Sequence, residues 1–314
     1  MSNAKICVMG SFVVDLAARA HHLPVKGETV FGSSFVMGPG GKGSNQAVAA
    51  RRAGADVVLI TKIGKDMLGQ VAKDSFAKEG LMSPYIFEDP HLETGIALIM
   101  VDEESANCIL VAPGACTNIT RAELESCRAE FAASSILLTQ LEVNLPAIVQ
   151  AIDMAKEIDT TVILNPAPVR QIPDGLLEKI DIITPNEVEA AILAGLPAIE
   201  SLEDCRQAAS YFFGQGVKKV IITWGERGVY CSDGSREMHI PVLPVKAVDT
   251  TGAGDAFTGC FAAALARGKD FFNAALYATV GAGISVTRFG TAPATAYEQE
   301  IEEHYEKHRA AISI

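Results

Sequence analysis

The chain has 314 residues and a formal net charge of −12 at pH 7. This length is sufficient for one large α/β domain with a small appendage. The acidic balance and the absence of any lysine- or arginine-rich run exclude the basic surface that a nucleic-acid-binding protein needs. The seven cysteines are scattered and form no Cys-x-x-Cys pair, which indicates reduced thiols. We find neither a signal-peptide pattern nor an apolar run of membrane-spanning length, so we expect a cytoplasmic protein without nucleic-acid or membrane partners.

Short β-branched apolar runs alternate with amphipathic segments along the chain. The runs predict strands at 5–10, 56–63, 135–141, 160–165, 181–184 and 218–224. The amphipathic segments predict helices at 43–53, 66–80, 146–157, 186–195 and 203–215, followed by a helical C-terminal part from 252 onward with helices at 271–286 and 296–310. Continuous apolar strands separated by helices predict a parallel sheet covered on both faces, that is, a Rossmann-like three-layer α/β/α sandwich.

Two segments interrupt this alternation. Residues 12–37 and 92–113 have the pattern of hairpins, with no helix between their strands. Antiparallel strands inside a βα series predict a small separate sheet, and above the carboxyl edge of the main sheet such an appendage would act as a lid. We therefore expect an α/β domain of residues 1–11, 38–91 and 114–314, and a β-sheet lid of residues 12–37 and 92–113.

The first glycine cluster, GPGGKGSNQA at 38–47, matches the dinucleotide fingerprint G-x-G-x-x-G. That motif requires the first strand of a nucleotide fold directly before it, whereas GETVFGSSFVM is typical of a hairpin arm. A phosphate P-loop is disfavoured as well, because Lys42 is followed by Gly43 where Ser or Thr is required. We interpret the glycines as allowing close approach to a small hydroxyl-rich ligand, with Lys42 and Asn45 as polar partners; a tight turn with a solvated lysine fits the same pattern.

The second glycine cluster is AVDTTGAGDAFTGC at 247–260, where a polar turn opens a long helix. We expect the N–H groups of Gly252, Ala253 and Gly254 to have no partner within the helix, so that they can point at an anion. In a phosphoryl transfer these amides would stabilise the transferring group while Asp255 accepts the proton of the attacking hydroxyl. The same residues also fit an ordinary helix start, in which an acidic first turn favours the helix dipole.

Several motifs together resemble one family across essentially the whole chain. The order and spacing of GSFVVD (10–15), KGETV (26–30), GGKGSNQA (40–47), TPNEVE (184–189), VIITWGERG (220–228) and DTTGAGDAFTG (249–259) are similar to those of the ribokinase (PfkB-type) carbohydrate kinases. The resemblance implies a ribokinase-like α/β sandwich with a β-sheet lid that often forms a homodimer contact. It also implies transfer of a phosphoryl group from ATP, with Mg²⁺, to the primary hydroxyl of a sugar.

The resemblance also implies roles for individual residues. Asp255 would be the base and residues Gly252, Ala253 and Gly254 the anion hole. The sugar site would be lined by Asp15, Val13, Gly41, Lys42, Asn45 and Glu142. The nucleotide would be held by Asn186, Glu189, Thr223, Gly225 and Gly228, with Asn186 and Glu189 organising Mg²⁺ and phosphate through water. A potassium-type monovalent cation would lie at Asp249, Thr251, Ser285, Arg288 and Gly290, where Ala294 departs from a hydroxyl residue common in the family.

The sequence also bears on which sugar is used. Ribokinases commonly carry Asn at the position of Val13, which can neither donate nor accept a hydrogen bond, so we expect a kinase for D-ribose, 2-deoxy-D-ribose or both. A second hypothesis is a family kinase for another sugar or a nucleoside, for which Phe12 is a modest candidate base platform. A third is a sugar-binding sensor without catalysis, although the presence of Asp255 and both glycine clusters argues against it.

Overall fold

The computed structural model describes residues 5–104 and 106–312. Its strands, numbered along the chain, are β1 (Lys5–Met9), β2 (Val13–Ala20), β3 (Gly32–Gly40), β4 (Asp56–Gly64), β5 (Ile86–Asp89), β6 (Thr94–Val101), β7 (Asn107–Gly114), β8 (Ile136–Thr139), β9 (Thr161–Leu164), β10 (Ile182–Ile183), β11 (Lys219–Thr223), β12 (Val229–Ser232) and β13 (Glu237–Ile240). Its α-helices are α1 (Lys42–Arg52), α2 (Met67–Glu79), α3 (Arg121–Ser126), α4 (Arg128–Ala133), α5 (Leu145–Glu157), α6 (Glu187–Ala194), α7 (Leu202–Gly214), α8 (Ala253–Ala266), α9 (Phe271–Ser285) and α10 (Glu298–Ala311). Each predicted strand and helix corresponds to one of these elements.

The main sheet has nine strands in the order β13-β12-β11-β10-β9-β8-β1-β4-β5. The pairings from β11 to β5 are all parallel, as the sequence predicts. The expectation of a purely parallel sheet is wrong at one edge, where β12 and β13 are antiparallel. The reason is the connection: residues 224–228 join β11 to β12 without a crossover helix, and so short a connection permits only antiparallel pairing.

Each face of this sheet is covered by its own hydrophobic core. Along β1, Ile6 and Val8 pack into one core together with α1, α8 and α9, whereas Cys7 and Met9 pack into the other together with α5 and α7. Successive side chains of a strand point to opposite faces, so a strand with both sets buried must lie in a middle layer. The three-layer α/β/α sandwich predicted from the sequence is confirmed.

A second sheet has four strands in the order β3-β2-β6-β7. Its central strand β2 pairs antiparallel with β3 and parallel with β6, and β6 pairs antiparallel with β7. The strand β3 continues to Gly40 and is followed at once by α1, so the small sheet feeds directly into the main domain. Among the described helices, none has the length and apolar character required to cross a membrane.

Candidate active site

The polar residues of the site follow the carboxyl ends of neighbouring parallel strands. Ser11 follows β1, Gln140 and Glu142 follow β8, Asn165 follows β9 and Asn186 follows β10. In an open α/β sheet the carboxyl ends of the strands form the edge where ligands bind. The helices α1 and α8 pack against each other beside this edge, and both of their N-termini contribute residues to it.

Asp255 lies in the first turn of α8 and is buried, with 7% of its surface exposed. Its Oδ2 accepts a hydrogen bond from Asn45 Nδ2 at 3.0 Å, and its Oδ1 accepts one from Gln46 Nε2 at 3.0 Å. Both donors belong to α1, about 210 residues away in sequence. Two such hydrogen bonds, one to each carboxylate oxygen, fix the orientation of the Asp255 side chain.

The start of α1 is pressed against the end of β1. A Cβ added to Gly43 would lie 2.5 Å from the carbonyl carbon of Gly10, so no side chain fits there. Ser44 donates its N–H to Ser11 O at 2.9 Å across this contact. We expected the glycines of this cluster to make room for a ligand; at Gly43 the space is instead taken by the neighbouring backbone.

Glu142 binds the N-terminus of α1. Its Oε2 accepts the main-chain N–H of Lys42 at 2.8 Å and the hydroxyl of Ser11. The N-cap residue of this helix, Gly41, has φ 87° and no side chain, so it cannot cap the helix itself. The carboxylate of Glu142 therefore supplies the missing cap and is held at the base of the site.

Asp15 and Val13 point from β2 of the small sheet toward this region. Asp15 lies so close to Gly40 that a Cβ there would be 2.1 Å from its Oδ1. Burial raises the pKa of Asp15 to about 6, and repulsion from the carboxylates of Glu142 and Asp255 adds to the shift. Val13 is buried two residues earlier on the same face of β2. Three acids from three different parts of the fold thus lie close enough to interact electrostatically.

Lys42 supplies a positive charge among these acids. Attraction by Asp255 raises the pKa of its ammonium group, opposed by burial, and Glu142 and Glu189 contribute further attraction. Lys42 therefore remains charged, and it brings a cation to a place where anionic groups converge.

The helix start at 252 is preceded by a hydrogen-bonded turn. Gly252 is the N-cap of α8 and has the left-handed φ of 75°, and Ala256 donates to its carbonyl. The N–H of Ala253 donates to Thr250 O at 3.2 Å, which lies outside α8 in the turn before it. The turn DTTG closes on itself before the helix begins, which sequence spacing does not reveal.

Asn186 and Glu189 form a reciprocal capping box at the start of α6. The Asn186 side chain accepts the N–H of Glu189 at 2.8 Å, and Glu189 Oε2 accepts the N–H of Asn186 at 2.9 Å. Burial raises the pKa of Glu189, opposed by the Asn186 N–H and by Lys42. Thr223 bonds to Pro185 O and forms a bridge to Asn186, which brings the end of β11 beside this helix.

The turn after β11 contains Gly225 and Gly228, both with positive φ. A Cβ added at Gly228 would lie 2.1 Å from Ile240 O, so this glycine permits the return of the chain into β12. Trp224 is buried, donates Nε1–H to Ile199 O at 3.0 Å, and has the Arg227 guanidinium over its ring. The indole therefore packs under the turn.

The residues expected at a monovalent cation lie on two loops that meet. Asp249 accepts the N–H of Thr251 at 2.9 Å and that of Gly290 at 3.0 Å, which joins the loops before α8 and after α9. Ser285 is buried at the end of α9, and the Arg288 guanidinium binds Glu300. Ala294 is buried and has no hydroxyl to offer.

Four residues of the site were not predicted from the sequence: Ser11, Gln46, Gln140 and Asn165. Gln46 is fully buried and Gln140 nearly so, and they are joined by a hydrogen bond of 2.6 Å. Gln46 Nε2 also donates to Asn165 Oδ1 at 3.0 Å. Ser11 and Gln46 lie within recognised motifs, whereas Gln140 and Asn165 lie within the predicted strands 135–141 and 160–165, so only their positions offered a signal.

Comparisons with known proteins agree with this geometry. Residues 3–296 match the model of the pfkB family of carbohydrate kinases. The ribokinase of Haemophilus influenzae is 39% identical over 301 residues, which cover 96% of this chain and 98% of that protein. The deoxyribokinase of Salmonella typhi is 36% identical over 287 residues, covering 91% and 94%. The structure of Arabidopsis thaliana ribokinase complexed with ribose and ATP has a TM-score of 0.89 at 27% identity, covering 98% of this chain and 99% of that one.

The family is therefore established. The chain belongs to the pfkB family of carbohydrate kinases, as the resemblance of its motifs indicated. It is a phosphotransferase of the carbohydrate kinase class with a ribokinase-like α/β fold.

Proposed function

We propose that this protein transfers the terminal phosphoryl group of ATP to the 5-hydroxyl of a pentose, D-ribose or 2-deoxy-D-ribose. The observation that carries the proposal is the Asp255 carboxylate, buried at the N-terminus of α8 and oriented by Asn45 and Gln46. The hydroxyl oxygen attacks phosphorus, its proton passes to Asp255, and the bond to the β-phosphate oxygen breaks to release ADP.

The acceptor is placed by polar groups on both sides of the pocket. The carboxylates of Asp15 and Glu142 would accept hydrogen bonds from sugar hydroxyls, and Lys42 and the backbone of Gly41 lie nearby at the start of α1. Asn45 Oδ1 is buried without a hydrogen-bond partner among the described residues, although its Nδ2 is bound to Asp255. A buried unpaired acceptor costs free energy, and a substrate hydroxyl would satisfy it.

ATP use is supported by the relatives, one of which is described as a complex with ribose and ATP. In our proposal Thr223, Gly225 and Gly228 hold the nucleotide, and the amides of Gly252 and Gly254, assisted by the helix dipole, receive the transferring phosphoryl group. The Ala253 N–H must leave Thr250 O to join them.

Two metal ions are part of the proposal. The described residues contain no group of three or more His, Cys, Asp or Glu side chains placed to bind a metal. In our proposal Glu189 and Asn186 hold Mg²⁺ through water, because Mg²⁺ keeps much of its hydration shell and relies on substrate phosphates. The carboxylate of Asp249 and the main-chain oxygens of Thr251, Ser285, Arg288 and Gly290 would supply an all-oxygen donor set suited to K⁺, which would add positive charge beside the anion-binding turn.

We also propose that the four-stranded sheet, made by residues 12–37 and 92–113, is a lid over the site. Its outer face would form the interface of a homodimer. Val13 and Asp15 face the site, so by alternation the other face of the sheet points away from it. The registers place Phe35, Met37, Leu98, Met100 and Leu110 on that outer face. They are between 37% and 65% exposed, and such a contiguous apolar surface is typical of a subunit interface.

The test is a coupled assay of ADP release with ribose, 2-deoxyribose, fructose, adenosine and pseudouridine as acceptors. We expect turnover with one or both of the first two. Asp255→Asn should lower kcat by at least about a hundredfold and leave ATP binding intact. Full activity of this variant would remove Asp255 from its role. Turnover with adenosine or fructose alone would favour another kinase, and sugar binding without any turnover would favour a sensor.

A further inference from the structure

Asp255 lies at one end of a buried network of hydrogen-bonded side-chain amides. Gln46 Nε2 donates to both Asp255 Oδ1 and Asn165 Oδ1, each at 3.0 Å. Gln46 Oε1 accepts from Gln140 Nε2 at 2.6 Å, and Asn165 Nδ2 donates to Thr184 O at 2.7 Å. Gln140, Asn165 and Thr184 immediately follow the adjacent strands β8, β9 and β10, so the network runs along the carboxyl edge of the sheet.

The direction of every hydrogen bond in this network is fixed by its two terminal acceptors, the Asp255 carboxylate and the Thr184 carbonyl. An ionised carboxylate and a main-chain carbonyl can only accept. Gln46 must therefore turn its amino group to Asp255, and its oxygen then faces Gln140, which must present its own amino group. Asn165 must likewise turn its amino group to Thr184 and its oxygen to Gln46. Rotating Gln46 by 180° would bring its oxygen against two acceptors at once.

Gln46 also decides which carboxylate oxygen is available for chemistry. The Oδ1 of Asp255 is bound to Gln46, which is completely buried, whereas the Oδ2 is bound to Asn45, which retains some exposure. The inner oxygen is thus anchored to the sheet edge through Gln46, and the outer oxygen is bound to Asn45, which the family resemblance assigns to the sugar site. A carboxylate held at one oxygen by a rigid donor loses rotational freedom before substrate binds.

We propose that Gln46 is a positioning residue for the proton acceptor, supported by Gln140 and Asn165. Gln46 is completely buried, and it acts by fixing Asp255 with Oδ2 toward the acceptor hydroxyl. This inference rests on the proposed role of Asp255.

Gln46→Met removes the donor and the acceptor of this side chain at nearly constant volume. Because misplacement of a reacting group lowers the rate of the chemical step, kcat should fall by roughly tenfold to a hundredfold. The KM values for pentose and ATP should stay within about threefold, since no substrate contact is lost. Gln70→Met is the matched control, because Gln70 is an exposed glutamine bound only to Asp74 on its own helix; its kcat should not change.

A double-mutant cycle with Asp255→Asn separates positioning from a general structural effect. If Gln46 acts through the carboxylate, Gln46→Met should change the residual kcat of the Asp255→Asn enzyme by less than about twofold. An equal loss in both backgrounds overturns the inference. Full activity of Asp255→Asn alone would instead refute the proposed function, so the two failures are distinguishable.

A second variant keeps the test decisive if Gln46→Met does not fold. Gln140→Met removes only the hydrogen bond to Gln46 Oε1 and leaves the Gln46 Nε2 donations to Asp255 and Asn165 in place. We expect a smaller loss, roughly threefold to tenfold in kcat, that again disappears in the Asp255→Asn background. Thermal unfolding and binding of a non-hydrolysable ATP analogue establish that each variant is folded. Unchanged kcat in folded Gln140→Met and Gln46→Met enzymes would rule the positioning role out.

Discussion

Glu142 accepts the main-chain N–H of Lys42 at 2.8 Å and so caps a helix from 100 residues away in sequence. The N-cap position of α1 is a glycine with positive φ, which suits the tight entry from β3 but offers no side-chain acceptor. The same carboxylate binds the hydroxyl of Ser11. The Glu142 side chain, which follows β8, thus connects the end of β1 to the start of α1.

Removing this cap should destabilise the protein. Glu142→Ala is expected to lower the free energy of unfolding by about 1–2 kcal/mol, because the first amides of α1 lose their acceptor. Glu142→Gln, which keeps an acceptor oxygen, should lose less than half as much. Chemical denaturation of both variants measures the difference. Equal stability of wild type and Glu142→Ala would show that water replaces the cap.

Sugar binding should depend on the ionisation of Asp15. Its folded-state pKa of about 6 lies above its ordinary value of 3.8 because of burial and of the charges of Glu142 and Asp255. As pH falls through about 6, Asp15 gains a proton and loses an acceptor, so the KM for the pentose should rise while the KM for ATP stays constant. In Asp15→Asn the sugar KM should be high and independent of pH between about 5 and 7.

The raised pKa of Asp15 also affects the free energy of unfolding, and the pH dependence of this contribution is opposite to that of most acids. Between pH 3.8 and about 6 the folded state keeps the Asp15 proton that the unfolded state has released. This group therefore stabilises the fold at low pH, and that stabilisation is lost as pH rises through about 6. Comparing the pH dependence of unfolding for wild type and Asp15→Asn tests the sign; a variant curve that falls more steeply than wild type with rising pH in this window contradicts it.

The choice between ribose and 2-deoxyribose should respond to Val13. This residue is buried in β2, two residues from Asp15, and its apolar side chain cannot form a hydrogen bond with a 2-hydroxyl. Val13→Asn adds a donor and an acceptor at similar volume, so the ratio of kcat/KM for ribose to that for 2-deoxyribose should rise about tenfold or more. Val13→Thr, with one hydroxyl, should give an intermediate ratio. An unchanged ratio in both variants would mean that Val13 only packs beneath the sheet.

The outer face of the small sheet should control the oligomeric state. Leu98 and Leu110 are opposite each other in the β6–β7 register and are 42% and 59% exposed. The double variant Leu98→Glu, Leu110→Glu should convert a dimer to monomers, because burying two like charges in each subunit is unfavourable. Analytical ultracentrifugation measures the mass. Met82→Glu, at an exposed position outside this sheet, is the control, and a persistent dimer in the double variant would place the interface elsewhere.

The sequence by itself determined the α/β class, the positions of the elements and several local contacts. The predicted helix at 186–195 starts in the capping box of Asn186 and Glu189, because residues three apart at a helix start are neighbours whatever the rest of the chain does. Asp255 falls in the first turn of α8 for the same reason. Local spacing is sufficient for such features.

Only the tertiary structure decided what surrounds these residues. Gln46 lies 94, 119 and 209 residues from its partners Gln140, Asn165 and Asp255, and no pattern in the sequence relates them. Their meeting depends on the order of strands in the sheet and on the packing of α1 against α8. The antiparallel edge and the bond from Ala253 to Thr250 were missed for a related reason, since a tight turn is decided by backbone geometry that residue types only partly encode. Hydrogen bonds between distant segments are set by topology, and topology is a property of the folded chain.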